Sequence, residues 1–461
     1  MAISQKIYNS LPYPVQSFVF DQYCSKLHQK RVGDRFDIEL EKMLEMDRFS
    51  NSEWRNLQDE KLAQLIEYSY ENVPYYRSLM KSLRLKPGDI RTVGDLPKLP
   101  VLTKEDVKNN SDKLISVQYR KKDLISLGTS GTTGSPLKIY SDKEAWFVNN
   151  LFDWKQKKWA GVNVGDPGVF FLGREVVNPG RNKPPFWQIN KYDNVLWVSS
   201  FHLSSRYIEY ILDKINQFKP IYFEGYPSTL FGFSSLVGDG GLQHAAPYSF
   251  TSSEPLYDYM LESIKENLHT ENFDFYGLAE RVAWATECKS HSGKHLHMDY
   301  SVVELVDEED NLIEADGQEG YLVGTGLFNY AMPLIRYKTS DVTRISSGNC
   351  TCGVETPRLS GVSTKSEDMI RTPDGRIISP SVLTHPFKNL TSIRKSQIVQ
   401  LQVDRIKVKV VSDSPLNRKE ENELVNGLQN RMGGEVLVEI EYVDDIPRGN
   451  NGKYRWVISR L

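Results

Sequence analysis

The sequence predicts an α/β protein of two domains. Residues 1–365 form a large N-terminal domain of helix-covered sheet with a β-rich part, and residues 366–461 a small α+β C-terminal domain. Three observations carry this. At 461 residues the chain exceeds the roughly 250–300 at which single hydrophobic cores stop growing. Between Val169 and Tyr276 short apolar runs alternate with amphipathic stretches of helical length, the pattern of parallel β-α-β units. From residue 295 onward β-hairpins take over, and the chain after Lys365-Ser-Glu-Asp-Met-Ile370 reads as a separate hairpin–helix–strand unit.

Composition narrows the function. A net charge of −3 argues against a nucleic-acid surface. Four cysteines make no disulfide framework in a chain of this length. No apolar run approaches the ~20 residues of a membrane span, and the first ten residues lack the apolar core of a signal peptide. A reducing cytoplasm is the expected location. The apolar, aromatic stretch Leu11–Phe20 is expected to pack onto the body of the protein rather than touch a membrane.

Taken in order, residues 53–82 show helical spacing of Trp54, Leu57, Leu62, Leu65 and Ile66, interrupted at Pro74. Thr103 is a good N-cap for a helix starting at Lys104. Residues 143–160 return to helical texture. Val169–Leu172 is a strand, and residues 174–191 are a polar excursion rich in Pro, Gly and Asn. Strands at 194–199, 220–224, 248–252 and 272–276 then alternate with helices at 205–218, 228–237 and 255–268. Val302–Val306 and Gly320–Gly324 are hairpin strands. Strands at 397–403 and 406–411, a helix at 416–430 and a strand at 435–442 complete the chain.

The strongest local signal lies in Ser126-Leu-Gly-Thr-Ser-Gly-Thr-Thr-Gly-Ser-Pro-Leu-Lys-Ile-Tyr140. Gly128, Gly131 and Gly134 let backbone N–H groups turn inward as an anion nest. The hydroxyls of Thr129, Ser130, Thr132 and Thr133 add donors, and Lys138 adds a point charge that phosphate attracts. No Gly-Lys-Ser/Thr follows at Walker spacing, so the loop is a phosphate cradle of another kind, set in a strand–loop–strand hairpin. The alternative, a flexible linker, fits poorly between two apolar runs.

Four further stretches carry chemistry by their order. Phe275-Tyr-Gly-Leu-Ala-Glu280 places an aromatic pair, a turn glycine (Gly277) and a carboxylate after a strand. Its aromatic face can stack on a purine and its glutamate can hold a divalent cation. Arg336-Tyr-Lys-Thr-Ser-Asp341 ends in a carboxylate suited to ribose hydroxyls; the alternative is a structural ion pair between Arg336 and Asp341. Pro447-Arg-Gly-Asn-Asn-Gly-Lys453 presents a lysine in a glycine-rich loop, against the alternative of a solvated terminal lysine. Cys350-Thr-Cys352, with Cys288 and His295 upstream, offers thiolate and imidazole ligands for a structural zinc. His297 is a substitute for His295, and free buried thiols are the alternative.

This ordered series resembles the adenylate-forming enzyme superfamily, and within it the phenylacetate–CoA ligase branch, especially relatives from capsular and surface polysaccharide gene clusters. Asn72-Val-Pro-Tyr-Tyr76, Leu99-Pro-Val-Leu-Thr-Lys104, Glu224-Gly-Tyr-Pro-Ser228 and Cys350-Thr-Cys-Gly353 resemble that branch too. The resemblance implies that Thr129–Gly134 holds the β- and γ-phosphates of ATP. It implies that Tyr276 lies against adenine, Glu280 helps bind Mg²⁺, and Asp341 takes the ribose hydroxyls. Lys453 then reaches the carboxylate and α-phosphate, where negative charge develops. His202 resembles the aromatic gate on the second substrate's path, although a lone histidine is as readily a packed residue. The hinge departs from the branch: Thr364-Lys-Ser-Glu-Asp368 puts Lys365 where the relatives carry arginine, keeping the charge but not the bidentate fork. Thr339-Ser-Asp341 replaces the usual Thr-Gly-Asp.

The implied activity is ATP- and Mg²⁺-dependent activation of a carboxylic acid as acyl-adenylate. Acyl transfer to CoA or to an amine, such as an amino sugar or amino acid, follows. Adenylation alone and a catalytically inactive scaffold of the same fold are the rivals. Candidate acid-pocket segments are Glu224–Ser228, Thr251–Ser253 and Tyr276–Ala279.

Overall fold

The computed structural model describes every residue except 1–4, 129–136, 172, 174, 238–240, 245, 364–368, 379, 388–389, 391, 413 and 447–454. Helices α1 (Gln5–Ser10), α2 (Tyr13–Arg31) and α3 (Phe36–Glu45) open it. Within Leu11–Phe20 the burial is split. Phe20 is buried and meets Trp197 edge-on at 5.4 Å, whereas Val15 and Phe18 stay exposed. Helix α4 (Asn51–Asn72) starts from a reciprocal capping box between Ser50 and Glu53. Pro74 occupies the first turn of α5 (Pro74–Ser82), where its missing N–H costs nothing, so the break divides two helices. Thr103 caps α6 (Lys104–Asn109) in the same way as Ser50.

Strands β1 (Ile125–Gly128) and β2 (Lys138–Ser141) pair antiparallel, with Gly128 opposite Lys138, so the flanks of the glycine loop form the expected hairpin. Helix α7 (Lys143–Ala160) runs from the Asp142 cap to Gly161, which takes a left-handed φ of +104°. The chain continues through β3 (Gly168–Phe171), β4 (Trp187–Asn190), β5 (Val195–Val198), α8 (Ile208–Phe218), β6 (Tyr222–Gly225) and α9 (Pro227–Val237). Next come β7 (Tyr248–Ser252), α10 (Asp258–Leu268) and β8 (Glu271–Gly277). Antiparallel strands follow: β9 (Trp284–Glu287), β10 (Lys294–Leu296), β11 (Ser301–Val306), β12 (Glu319–Gly326), β13 (Tyr337–Ser346) and β14 (Arg358–Ser363).

All of these but the hairpin join one 12-stranded sheet, in the order β11-β12-β13-β14-β10-β9-β8-β7-β6-β3-β5-β4. Strands β5, β3, β6, β7 and β8 are parallel, as the β-α-β reading requires, and the sheet turns antiparallel at the β8–β9 pair. Alternate residues of each parallel strand feed opposite cores. Val169, Phe171 and Phe223 pack under α8, α9 and α10, while Tyr222 and Phe250 pack under α3 and α7. The polar excursion at 174–191 contains the edge strand β4, which the sequence did not announce. Its Pro and Asn neighbours mask a four-residue run whose Gln188 and Asn190 point inward.

The C-terminal domain has hairpin strands β15 (Ile370–Arg371) and β16 (Ile377–Ile378), helix α11 (Pro380–Leu383) and a four-stranded sheet. That sheet comprises β17 (Ile393–Gln402), β18 (Arg405–Ser412), β19 (Leu437–Tyr442) and β20 (Val457–Ser459), ordered β19-β18-β17-β20 and backed by α12 (Arg418–Met432). Strand β20, which periodicity missed because it spans three residues, runs parallel to β17. Ile398, Val408, Leu424, Leu428 and Trp456 form a core of their own. The expected boundary at 365/366 falls outside the described residues, as do the lysine loop and the glycine loop themselves.

Candidate functional site

The carboxyl ends of β6, β7 and β8 lie side by side in the sheet, which brings together the three segments expected to form the acid pocket. Ligands of open α/β sheets bind at such carboxyl edges. Glu224 there is salt-bridged to the buried Lys157 of α7 at 3.0 Å, Thr251 donates to Asp274 at 2.7 Å, and Glu254 accepts from the Ser228 N–H at 3.1 Å.

Beyond β8 the nucleotide residues converge. The Tyr276 phenol donates to Asp341 Oδ2 at 2.6 Å, and the Tyr337 phenol donates to Glu280 Oε1 at 3.2 Å. Thr339 Oγ1 accepts the Asp341 N–H at 3.1 Å and so fixes the backbone that carries the carboxylate. Tyr337 and Thr339 are partners that the sequence reading passed over. Both stand inside Arg336–Asp341, and their residue types alone do not say that one faces β8 and the other turns back on the backbone. Gly277 is needed for packing: a Cβ there would stand 2.8 Å from the Trp284 ring.

Burial raises the Glu280 carboxyl above its usual range; the field of Lys104 opposes this and the charge of Asp341 adds to it. Burial, then the Asp341 carboxylate, raises Tyr276 far above its usual value, so it stays a donor. The Glu280 carboxylate is a hard oxygen donor of the kind a divalent cation takes. Lys138, at the foot of the glycine loop, is exposed, and the hairpin is tied to this cluster's side of the molecule by Asn329 Nδ2, which donates to Tyr140 O at 3.0 Å. Thr129, Ser130, Gly131, Thr132, Thr133, Gly134, Lys365 and Lys453 lie outside the described residues. The flanks of Lys453 are anchored: Ile446 and Trp456 are buried, and the Trp456 indole donates to Ser396 Oγ at 3.0 Å.

Three expectations meet a different structure. Arg336 is a structural cation, but its partner is Glu304, gripped by Nε and the other terminal nitrogen at 3.1 Å each with both side chains buried. Arg336 also donates to Leu99 O, and its backbone takes a positive φ of +55°. His202 is 1% exposed. Its Nδ1 pairs with Ser199 Oγ at 2.8 Å, its Nε2 with Arg181 O at 2.9 Å, and its ring stacks on Phe186 at 4.5 Å. Burial, against the Arg181 carbonyl bond, brings its pKa down to about 4. The packed-residue alternative thus describes its surroundings. His297 is no substitute ligand: it pairs with Thr286 Oγ1 at 2.8 Å, stacks on Trp159 and is not among the four residues whose ligand atoms cluster.

The ligand atoms of Cys288, His295, Cys350 and Cys352 all lie within 4.8 Å of one another. Strand pairing does this: β10 lies between β9 and β14, so the turn after β9, His295 on β10 and the loop before β14 meet at one end of the sheet. Cys288 Sγ and Cys350 Sγ are 3.7 Å apart and Cys352 Sγ is 3.3 Å from His295 Nε2. Two thiolates on a tetrahedral zinc, at about 2.3 Å each, would stand about 3.8 Å apart. Thr356 Oγ1 sits 3.1 Å behind His295 Nδ1, the place of an outer partner that fixes the ring. Burial opposes ionisation of Cys350, yet hydrogen bonds from Ser290 and Ser292 outweigh it and bring the thiol to about 5. Burial and the neighbouring thiols push Cys352 up to about 12.

Comparison with known proteins agrees with this architecture. The family model for the CapK C-terminal domain matches residues 370–460. Protein CapK of Staphylococcus aureus is 24% identical over 472 aligned residues, covering 99% of each chain. The phenylacetate-coenzyme A ligase of Thermus thermophilus is 26% identical, covering 71% of this chain and 73% of its own. That of Escherichia coli K12 is also 26% identical, covering 70% and 73%. Among solved structures, 2-hydroxyisobutyryl-CoA ligase in its thioesterification state superposes with a TM-score of 0.59 at 18% identity, covering 89% of this chain and 91% of that one. Its open conformation gives 0.57 at 19% identity, covering 89% and 92%. The chain is therefore homologous to CapK along its whole length and to the phenylacetate–coenzyme A ligases along most of it, and it has the fold of the adenylate-forming ligases.

Proposed function

We propose that the chain activates a carboxylic acid with ATP, forming an acyl-adenylate and pyrophosphate, and passes the acyl group to coenzyme A or to an amine. The observation that carries this reading is the convergence of Tyr276, Glu280 and Asp341 at the carboxyl edge of the sheet. In it Asp341, oriented by the Tyr276 phenol, accepts the ribose hydroxyls. The Tyr276 ring lies against adenine, and the Thr129–Gly134 loop with Lys138 cradles the β- and γ-phosphates. A carboxylate oxygen of the acid attacks the α-phosphorus and the bond to pyrophosphate breaks, with Lys453 balancing the charge that develops. Mg²⁺, held through Glu280, would neutralise the phosphate oxygens. Zinc in the cysteine–histidine cluster would be structural, joining two loops and a strand. Lys365 would serve the hinge of the C-terminal domain, in the division 1–365 and 366–461.

The homologues named as coenzyme A ligases support acid activation and thioester formation. An amine acceptor and a role in surface polysaccharide synthesis are kept beside coenzyme A because the motif resemblance implies them; the likeness to CapK covers the whole chain. Among the described residues no helix is long and apolar enough to cross a membrane, in keeping with cytoplasmic small-molecule substrates. The test is ATP–pyrophosphate exchange with a panel of carboxylic acids, with and without coenzyme A. Exchange is expected with at least one acid and should vanish in Lys453→Ala while ATP still binds. Exchange with none of the panel would favour the scaffold reading. Exchange with no coenzyme A-dependent thioester would favour the amine.

A further inference from the structure

Arg281, the residue after Glu280, takes a left-handed φ of +59°, a conformation that favours glycine. Its N–H donates to Leu278 O at 3.0 Å and closes the turn that carries Glu280. The turn is pressed onto β12: a Cβ at Gly324 would strike Val282 O, and one at Gly326 would strike Arg281 O. A glycine would meet this backbone conformation at lower cost, so the reason for an arginine lies in its side chain.

That side chain is buried. Arg281 is 5% exposed, and among the described residues its guanidinium makes no ion pair. It donates through Nη1 to Ala145 O, in the first turn of α7, and lies 5.9 Å from the Trp146 ring centroid. A buried charge without a counter-charge destabilises a fold. What this one achieves is a fixed contact with the start of α7.

The contact joins two parts of the candidate nucleotide site. On one side is the turn Leu278–Arg281, with Glu280 bound by the Tyr337 phenol. On the other is the exit of the glycine-loop hairpin. Strand β2 ends at Ser141, and Asp142 caps α7 by accepting the Ala145 N–H at 2.8 Å. The Tyr119 phenol donates to the second oxygen of Asp142 at 2.9 Å. Ala145 therefore has its N–H fixed by the cap and its carbonyl by Arg281.

We propose that Arg281 is a positioning residue: its guanidinium, fixed on the first turn of α7, sets the separation between the Glu280 carboxylate and the glycine loop so that both grip one Mg²⁺–ATP. This deepens the ligase reading and rests on it. Glu280 would give the cation a hard oxygen ligand, and the loop would give the phosphates their donors, so the two grips act together only when their spacing is held. Metal-free ATP relies on the loop, Tyr276 and Asp341 and makes no use of Glu280.

Calorimetric titration of the full chain with ATP, once in Mg²⁺ and once in EDTA, reads the two cases separately. Arg281→Gly suits the left-handed backbone and removes the guanidinium. It should bind Mg²⁺–ATP about tenfold more weakly, the loss expected for one hydrogen bond from a charged group, and should bind metal-free ATP as the unaltered chain does. Arg281→Lys, which keeps the charge without the fork, should recover part of the loss. Should Arg281→Gly fail to fold, Gly326→Ala, which pushes on the Arg281 carbonyl from β12, should show the same selective loss. Equal weakening with and without Mg²⁺ would mark a merely structural role and overturn the proposal. Undiminished binding of Mg²⁺–ATP in the folded variants would overturn it too, as would an unaltered chain whose ATP binding Mg²⁺ does not strengthen. A failed ligase reading shows itself differently: Mg²⁺–ATP binds, yet no acid supports pyrophosphate exchange.

Discussion

The phenol of Tyr276 and the carboxylate of Asp341, 65 positions apart in the chain, are joined by a 2.6 Å hydrogen bond that ties the end of β8 to the middle of β13. The bond makes one tyrosine both the ring expected against adenine and the donor that aims the ribose-binding acid. Tyr276→Phe keeps the ring and removes the donor. A neutral-donor bond to a carboxylate contributes about 1–2 kcal/mol, so the KM for ATP in pyrophosphate exchange should rise about tenfold. Asp341→Ala should abolish exchange. An unchanged KM in Tyr276→Phe would show that the Tyr276 phenol does not aim Asp341.

His202 predicts a pH dependence of stability. Folding lowers its pKa from the ordinary 6.5 to about 4, chiefly by burial. Below pH 6.5 the unfolded chain takes up a proton that the folded chain refuses, so stability present above that pH is lost as pH falls towards 4. Between pH 7 and pH 4.5 this amounts to about 2–3 kcal/mol. His202→Gln should flatten that part of the profile in urea melts. A variant with the same acid slope as the unaltered chain would remove His202 as its cause.

The four-ligand cluster predicts about one tightly held zinc per chain after purification without added metal. Cys352→Ser should lower the metal content measured by mass spectrometry and should lower Tm by several degrees, because a structural zinc adds covalent-strength ligation to loops otherwise bridged by thiol contacts and the Arg358 guanidinium. His297→Asn, beside the cluster and outside it, should keep the metal. Loss of zinc in His297→Asn with retention in Cys352→Ser would reverse the ligand assignment.

The buried pair of Arg336 and Glu304 predicts a large single-mutant cost. Arg336→Met leaves Glu304 charged, buried and unpaired, which costs about 3–5 kcal/mol. The Arg336→Met, Glu304→Leu double variant should recover most of it in denaturant melts. Equal destabilisation of the single and double variants would place the cost in the contact of Arg336 with Leu99.

Much of the fold was legible along the chain. The capping residue Thr103 and the proline at 74 act within one helical turn, and the helices they bound are where the pattern put them. The helices of residues 5–45 and the strands β4, β9, β10, β13 to β16 and β20 were not placed; β4 and β20, at four and three residues, are too short for periodicity to register, whereas β13 and β14 interleave polar and charged residues with their buried ones. At the site, residue types picked out Tyr276, Glu280, Asp341 and the four metal-ligand candidates. They did not pick out Tyr337, Thr339 or Thr356, since a hydroxyl's partner depends on which strand lies opposite.

The sequence by itself determined the order of motifs, the alternation of strands and helices, the cysteine–histidine grouping and the resemblance they carry. Each of these is written in neighbouring residues or in simple succession. Only the tertiary structure decided that Arg336 belongs to Glu304 rather than Asp341 and that His202 is sealed by Ser199 and Arg181. The physical reason is that such contacts join residues far apart in sequence. Their geometry is set by the register of a 12-stranded sheet and by the packing of a second core against it, and no local pattern of residues encodes that register.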